Sequence, residues 1–239
     1  SQGREEATGL GGFYVLRQLA QQLGNKPKET SIAVQGFGNV AYHFVLFAAK
    51  AGFKVVAISN SREAIVVTNS LDPEKILKAL KQHHNSLSEL VKSKVIAGAK
   101  IISNEALLQL DVDILVPAAI DGVLHEGNIK KVKAPVVLEL ANGPMTVAAE
   151  AIFLANSNHI VVPDILANAG GVVVSYFEWV QNLQGYYWQK EEVYQKLETL
   201  MDTAFNRVWQ EYNDRKVTMR QAAYIVALKR LIEAENLLY

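Results

Sequence analysis

Short apolar segments alternate with longer segments of helical character along most of the chain. Continuous apolar runs rich in Val and Ile are typical of strands that are buried on both faces of a parallel sheet. Strands that alternate with helices predict βαβ units and a doubly wound, mainly parallel α/β fold. The predicted strands are Ser31–Gln35, Lys54–Ser59, Asp113–Val116, Val136–Leu140 and His159–Val162.

Helical segments lie between these strands, and from Gly170 onward the pattern is helical only. Thr218, with Gln221 three residues later, predicts a capping box at the start of the last helix. No internal repeat or change of composition divides the chain, so we expect one α/β domain over residues 1–239 with a helical C-terminal part. The main predicted helices are Thr8–Leu23, Asn39–Ala51, Pro73–His83, Asn104–Leu110, Thr146–Ala155, Glu191–Tyr212 and Met219–Leu238.

The composition excludes several classes of protein. Half of the 239 residues are hydrophobic, and 24 basic side chains balance 24 acidic ones, whereas proteins that bind nucleic acid carry a basic excess. The absence of cysteine excludes disulfide scaffolds and thiolate metal sites, and the adjacent His83 and His84 cannot face one metal ion from a helix. Without a membrane-length apolar run or a signal peptide, we expect a cytoplasmic protein with no membrane partner, no nucleic-acid partner and no metal site.

A glycine-rich turn follows the first predicted strand and leads directly into a helix. In the segment Gly36-Phe37-Gly38-Asn39-Val40-Ala41, Gly36 permits a tight turn and Gly38 lets a pyrophosphate approach the backbone. The small Ala41 allows the helix to pack closely on the strand, and the helix N-terminus offers unpaired N–H groups to phosphate. Because a second strand follows at the expected distance, this context predicts a Rossmann-like dinucleotide site rather than a purely structural turn.

The end of the second predicted strand should face the adenosine ribose of the dinucleotide. An acidic residue at this point usually accepts hydrogen bonds from the ribose 2′-hydroxyl, but this chain has Ser59-Asn60-Ser61-Arg62. The neutral Asn60 does not repel a 2′-phosphate, and Arg62 is near enough in sequence to pair with one, unless it is only a solvated surface charge. We therefore expect NAD or NADP to bind, with NADP at least tolerated.

Several further segments resemble one family over essentially the whole chain. They are similar to the cofactor-binding domain of glutamate dehydrogenase, in the Glu/Leu/Phe/Val dehydrogenase superfamily, and the last of them resembles the hexameric glutamate enzymes. The segments are Gly3-Arg4-Glu5-Glu6-Ala7-Thr8-Gly9, Gln35-Gly36-Phe37-Gly38-Asn39-Val40, Val116-Pro117-Ala118-Ala119, Glu139-Leu140-Ala141-Asn142-Gly143-Pro144, Pro163-Asp164-Ile165-Leu166-Ala167-Asn168-Ala169-Gly170-Gly171-Val172 and Ser175-Tyr176-Phe177-Glu178-Trp179-Val180-Gln181-Asn182.

The resemblance implies a role for each residue of the candidate site. Val172 and Ser175 would face the amino-acid substrate, the hydroxyl of Ser175 bonding its side-chain carboxylate. Taken singly, Thr8 could instead cap a helix, Asn142 could form an ordinary turn, and Ser175 could bond a carbonyl one helical turn back. The residues that would bind the cofactor are Arg4, Thr8, Gly36, Phe37, Gly38, Asn39, Val40, Ser59, Asn60, Arg62, Ala118, Ala119, Asn142 and Asn168.

The resemblance also implies that the chain is only the cofactor half of an enzyme. The family's catalytic lysine and aspartate lie on an N-terminal substrate domain whose motifs are not found in this sequence, so we expect no catalytic residue here and expect that domain as a partner. The complete protein would be a homo-hexamer that converts L-glutamate to 2-oxoglutarate. The alternatives are a non-catalytic dinucleotide-binding module, the cofactor domain of another amino-acid dehydrogenase and, more distantly, another Rossmann enzyme such as a methyltransferase.

Overall fold

A computed structural model describes residues 2–236 of the chain. A seven-stranded sheet carries helices on both faces, and the last four helices follow the last strand. The strands are β1 Ser31–Gln35, β2 Lys54–Ser59, β3 Ala64–Val66, β4 Lys100–Ile102, β5 Ile114–Pro117, β6 Val136–Leu138 and β7 Ile160–Val162. The helices are α1 Ala7–Leu23, α2 Asn39–Lys50, α3 Pro73–Gln82, α4 Leu87–Lys92, α5 Asn104–Leu108, α6 Val147–Leu154, α7 Asp164–Ala167, α8 Gly170–Gln184, α9 Lys190–Arg215 and α10 Met219–Asn236.

The predicted doubly wound fold is confirmed, and its sheet has the order β4-β3-β2-β1-β5-β6-β7. All five strands predicted from the apolar runs are present, and they are parallel to one another. The sheet also has two antiparallel edge strands, β3 and β4, which were not among the five. Each has only three residues, so its apolar pattern is too short to stand out from that of a loop.

The order of the strands creates a crevice beside β1. From β1 the chain moves outward through β2, β3 and β4, and then returns to β5 on the other side of β1. The connections that leave the carboxyl ends of β1 and β5 therefore run in opposite directions along the sheet. Open α/β sheets bind their ligands at such a switch point.

Helix α1 packs directly against α2, α8 and α9 on one face of the sheet. Its contact with α2 is made by backbone, because a Cβ atom at Gly9 would lie 2.6 Å from both the Val40 carbonyl oxygen and the Phe44 amide nitrogen. A side chain at position 9 would therefore push the two helices apart. This close approach fixes where the N-terminus of α2 stands relative to the sheet.

The C-terminal part of the chain is helical, as the pattern predicts. The capping box is confirmed, since the Thr218 amide donates to the Gln221 side chain at 3.0 Å and the Gln221 amide donates to the Thr218 hydroxyl at 3.2 Å. The predicted last helix is present to Asn236, and its final positions, 237 and 238, lie outside the described residues. Among residues 2–236, no helix has the length and apolar character that crossing a membrane requires.

Candidate dinucleotide site

The glycine-rich turn lies where β1 ends and crosses the top of the sheet toward α2. Gly36 has a φ angle of 110°, and a Cβ atom there would lie 3.0 Å from the Cβ atom of Ala119. Its amide donates to the hydroxyl of Ser59 at 2.9 Å, and Ser59 is buried. The sequence predicts Ser59 as a cofactor contact, and in the structure its hydroxyl ties the end of β2 to the turn.

Gly38 leaves the N-terminus of α2 open. It is the N-cap residue of α2, and a Cβ atom built on it would have no neighbour within 4 Å among the described residues. Within that same part of the chain, no side chain caps the helix. Asn39 instead donates its side-chain amide to the Glu5 carbonyl at 2.7 Å, and the Phe37 ring packs edge-on against Tyr42. The first amides of the helix are therefore available to an anion.

A broad cleft of about 1010 Å³ continues from this turn along the carboxyl edge of the sheet. It brings together nine of the predicted site residues from five separate parts of the chain, namely Arg4, Thr8, Val40, Ala118, Ala119, Asn142, Asn168, Val172 and Ser175. The other seven, Gly36, Phe37, Gly38, Asn39, Ser59, Asn60 and Arg62, belong to the glycine-rich turn and the end of β2 and do not line the cleft.

Two asparagines join the loops that follow β6 and β7. The Asn168 side chain donates to the Asn142 side-chain oxygen at 2.7 Å and lies 3.4 Å from the Leu140 carbonyl oxygen. Asn142 is exposed to the cleft, so its amide nitrogen is free to meet a ligand. The loop that carries it is thus more than an ordinary turn, because its side chain is held by a residue 26 positions away.

Thr8 is not a helix cap. It is the second residue of α1, whose N-cap position is Glu6, and its hydroxyl would lie 2.5 Å from a Cβ atom at Gly171. Gly171 therefore makes room for the Thr8 hydroxyl at the wall of the cleft.

The two residues predicted to face a substrate lie on α8. Val172 is 74% exposed, whereas the Ser175 hydroxyl donates to the Gly171 carbonyl at 2.9 Å, one helical turn back. A hydroxyl has one proton to donate, so Ser175 must give up this hydrogen bond before it can donate to a substrate carboxylate. Its lone pairs remain available as acceptors.

Asn60 organises the turn after β2. Its side-chain oxygen accepts from the amides of Arg62 at 2.9 Å and Glu63 at 3.0 Å, while its amide donates to the Asn85 carbonyl at 3.0 Å. One N–H of the Asn60 side chain remains for a ribose group. Arg62 is exposed and, among residues 2–236, its guanidinium has no ion-pair partner.

Sequence reasoning missed part of the cleft wall and the charges behind it. Ile120, Asp121 and Gly143 line the cleft, and their position directly after the predicted strands β5 and β6 was the signal that could have found them. Behind the loop after β6, Arg220 of α10 pairs with Glu139 at 2.6 Å, although the two residues are 81 positions apart. No local pattern predicts a contact of that separation.

In the described part of the chain no group of three His, Asp or Glu residues is arranged to hold a metal ion.

Comparison with known proteins agrees with this geometry. Residues 1–237 match the family described as Glutamate/Leucine/Phenylalanine/Valine dehydrogenase. The chain belongs to this family. The relatives include a glutamate dehydrogenase of Thermotoga maritima, 46% identical over 98% of this chain, and an NAD-specific glutamate dehydrogenase of Clostridioides difficile, 44% identical over 99%. An NADP-specific glutamate dehydrogenase of Synechocystis is 43% identical over 98% of the chain.

The chain spans about half the length of these relatives, covering 55%, 56% and 55% of them. The same holds for a solved structure of hetero-hexameric glutamate dehydrogenase from Thermus thermophilus, of which this chain covers 55%. The two share a fold over the whole of this chain, with a TM-score of 0.88 and 33% identity. The family resemblance inferred from the motifs is therefore confirmed.

In this member of the Glu/Leu/Phe/Val dehydrogenase family, the buried carboxyl group of Glu139 has a raised pKa. Glu139 is 0% exposed, and its burial raises its pKa to about 7 although Arg220 opposes the shift. One of its carboxyl oxygens has no hydrogen-bond partner among the described residues. The neighbouring Asp164 behaves differently, because hydrogen bonds from the Gly143 amide and from Arg220 outweigh its burial and lower its pKa.

Replacing Gly38 by Val should abolish dinucleotide binding and leave the fold intact. The added side chain enters open space and strains no backbone, because Gly38 has a φ angle of −76°, but it would occupy the position where a phosphate meets the helix amides. Calorimetric titration with NADH measures the affinity, and thermal unfolding measures the fold. Ala148→Val, at an exposed position in the first turn of α6, is the matched control. Unchanged affinity in a folded Gly38→Val chain would mean that the cofactor binds elsewhere.

The Glu139 carboxyl should make stability fall as the pH rises toward neutrality. Its raised pKa means that the folded state holds a proton that the unfolded state releases from about pH 4.5 upward. The protonated carboxyl group therefore contributes its full stabilisation below pH 4.5, and this contribution is lost as the pH rises to about 7. The free energy of unfolding should fall by up to about 3 kcal/mol over this range. Arg220, Asp164 and Glu150 surround the group and stay in place in Glu139→Gln. Urea unfolding of both proteins from pH 5 to 8 should show this loss in the wild type only, and parallel curves would contradict it.

Proposed function

We propose that the chain is the NAD(P)-binding part of a glutamate dehydrogenase, whose complete form oxidatively deaminates L-glutamate to 2-oxoglutarate and ammonia. The observation that carries this proposal is the open N-terminus of α2 at the switch point between β1 and β5. The names of the relatives, which are glutamate dehydrogenases specific for NAD or for NADP, support the substrate and the cofactor.

The residues present fit a dinucleotide. The free space over Gly38 and the uncapped amides of α2 would receive its pyrophosphate, because a helix N-terminus stabilises negative charge. Asn142 and Asn168, already joined to each other, would orient the other end of the ligand in the cleft, which Thr8 also lines. A bound nicotinamide would supply the hydride acceptor. The residues of this chain would bind and orient it and exclude part of the solvent.

A second domain would complete the site. Val172 and Ser175 stand at the cleft wall and would face the amino acid, but no residue of this chain is assigned to the proton transfers at the substrate amine. Trp179, Tyr186 and Tyr187 are exposed beyond them, whereas Phe177 is buried and packs against Trp188. Exposed aromatic side chains in this density are typical of a partner surface, which supports docking of the N-terminal substrate domain here. The homo-hexameric assembly and the cytoplasmic location stay predictions.

The 239-residue chain should bind NADH and fail to reduce NAD or NADP when L-glutamate is added. We expect this because the family's lysine and aspartate motifs lie outside the matched half. Fluorescence titration measures binding, and absorbance at the nicotinamide band measures turnover. Turnover by the purified chain would contradict the division of labour between the two domains. If the complete protein oxidised leucine, phenylalanine or valine in preference to glutamate, the chain would be the cofactor domain of another amino-acid dehydrogenase. If the complete protein oxidised no amino acid, a non-catalytic dinucleotide-binding module would be favoured.

The ribose end should accept NADP at least as well as NAD. No carboxylate stands at position 60 to repel a 2′-phosphate, and the unpaired guanidinium of Arg62 lies two residues further on. In Asn60→Asp, the side chain keeps an oxygen for the amides of Arg62 and Glu63 but adds a negative charge. We expect the ratio of the NADP to the NAD affinity to fall by about tenfold, measured by calorimetry with both ligands.

Arg62→Gln is the companion variant for this measurement. It should weaken NADP and leave NAD unchanged, since only the 2′-phosphate would meet the guanidinium. If the unmodified chain binds NAD more than about a hundredfold tighter than NADP, this interpretation of the strand end is wrong.

A further inference from the structure

A buried charge cluster lies behind the cleft and has no role in the function proposed so far. Arg220, in the first turn of α10, donates to three carboxylates through three different nitrogens: Nη2 to Glu139 at 2.6 Å, Nε to Glu150 at 2.7 Å and Nη1 to Asp164 at 2.8 Å. The side chain of Glu139 is fully buried, and those of Glu150 and Asp164 are 12% and 14% exposed. Ion pairs this deep are costly to desolvate, so stability alone is a weak reason for them.

The cluster connects distant parts of the chain at one point. Glu139 directly follows β6, Asp164 begins α7 after β7, and Glu150 belongs to α6. The Asp164 amide also donates to the same Glu139 oxygen that receives Arg220. The guanidinium therefore holds the ends of two neighbouring strands in one mutual position, at the edge of the sheet where the cleft lies.

Asp164 connects this cluster to the cleft by hydrogen bonds. Its Oδ1 atom accepts from Arg220, and its Oδ2 atom accepts from the Gly143 amide at 2.8 Å. The Gly143 carbonyl in turn accepts from the Gly122 amide at 2.9 Å. Gly143 belongs to the loop of Asn142, and Gly122 directly follows Asp121 in the loop after β5. Both loops line the cleft, so a single row of hydrogen bonds runs from Arg220 to both.

The loops need such support because little of them is packed. Ala119, Ile120, Asp121, Asn142 and Gly143 are all exposed. Gly143 has a φ angle of 51°, a left-handed conformation with no side chain to anchor it. Its orientation therefore depends on the partners of its amide and carbonyl groups. A charge-assisted hydrogen bond to a carboxylate is the stronger of the two.

We propose that Arg220 is a positioning residue of the dinucleotide site, which acts through Asp164 and Gly143 to hold the loops after β5 and β6 that line the cleft. This inference rests on the proposed function, because it assumes that the cleft takes a dinucleotide. Arg220 itself touches no ligand in this arrangement. Its removal should loosen the cleft end of the site while the glycine-rich turn, which is built on β1, β2 and α2, stays unchanged.

A comparison of two ligands tests whether Arg220 supports the cleft loops and not the glycine-rich turn. ADP probes the glycine-rich turn and the end of β2, whereas NADH also needs the cleft. In Arg220→Gln and in Asp164→Asn, we expect the NADH affinity of the 239-residue chain to fall about tenfold and the ADP affinity to stay within about twofold. A role in stability only would lower both affinities together or neither. Calorimetric titration of each chain with both ligands supplies the ratio.

Two further variants make the test decisive. Glu150→Gln removes one carboxylate from the same cluster without touching Asp164 or Gly143, so the ratio should stay at the wild-type value. If Arg220→Gln does not fold, Asp164→Asn carries the test alone. It leaves one acceptor oxygen where two now serve Arg220 and the Gly143 amide, so the row of hydrogen bonds is broken, and it keeps the bonds of Arg220 to Glu139 and Glu150. Thermal unfolding of each variant confirms that the titrated chain is folded.

The outcomes separate the inference from the function beneath it. A wild-type chain that binds neither NADH nor ADP would overturn the proposed function, and this inference with it. A wild-type chain that binds both, with an unchanged ratio in folded Asp164→Asn, would overturn the inference alone. A selective loss of NADH affinity in Asp164→Asn, absent in Glu150→Gln, supports it.

Discussion

The site depends on how closely α1 can approach its neighbours. Gly9 brings α1 into backbone contact with α2, and a Cβ atom at Gly170 would lie only 2.2 Å from the Ala7 carbonyl oxygen, so α8 approaches α1 equally closely. Helix α1 thus places the N-terminus of α2 on one side and the start of α8 on the other. Because packed interiors cannot absorb even one methyl group without movement, these small residues determine the width of the cleft between the two helices.

The walls of the cleft are held by a different kind of interaction. Its helical side rests on apolar packing, whereas the exposed residues of the loops after β5 and β6 are joined by a row of hydrogen bonds that begins at Arg220. Hydrogen bonds are directional, so they can orient a peptide group that packing leaves undetermined. A glycine-rich turn beside loops that are held separately suits a ligand whose two ends are bound by different means.

The structural features that the sequence predicted correctly are those formed by residues close together in the chain. The turn at Gly36 and Gly38 was predictable because its strand, glycines and helix are consecutive, and the capping box at Thr218 because its partners are three residues apart. The strands β3 and β4 were missed because three residues carry too little pattern. Asn60 was predicted as a ribose contact because it has no negative charge to repel a 2′-phosphate. Its three side-chain hydrogen bonds are evident only in the folded structure.

The order of apolar segments along the chain by itself determined the parallel sheet, and motifs of consecutive residues predicted the glycine-rich turn and, by resemblance, the family. Periodicity and spacing are properties of consecutive residues, and burial of apolar surface acts on them directly. Only the tertiary structure decided that Asn168 holds Asn142 and that Arg220 reaches Glu139. These contacts join residues whose side chains could each have been satisfied by water or by the local backbone. Their choice of partner follows from the crossing of strands and helices, which no segment of the sequence specifies alone.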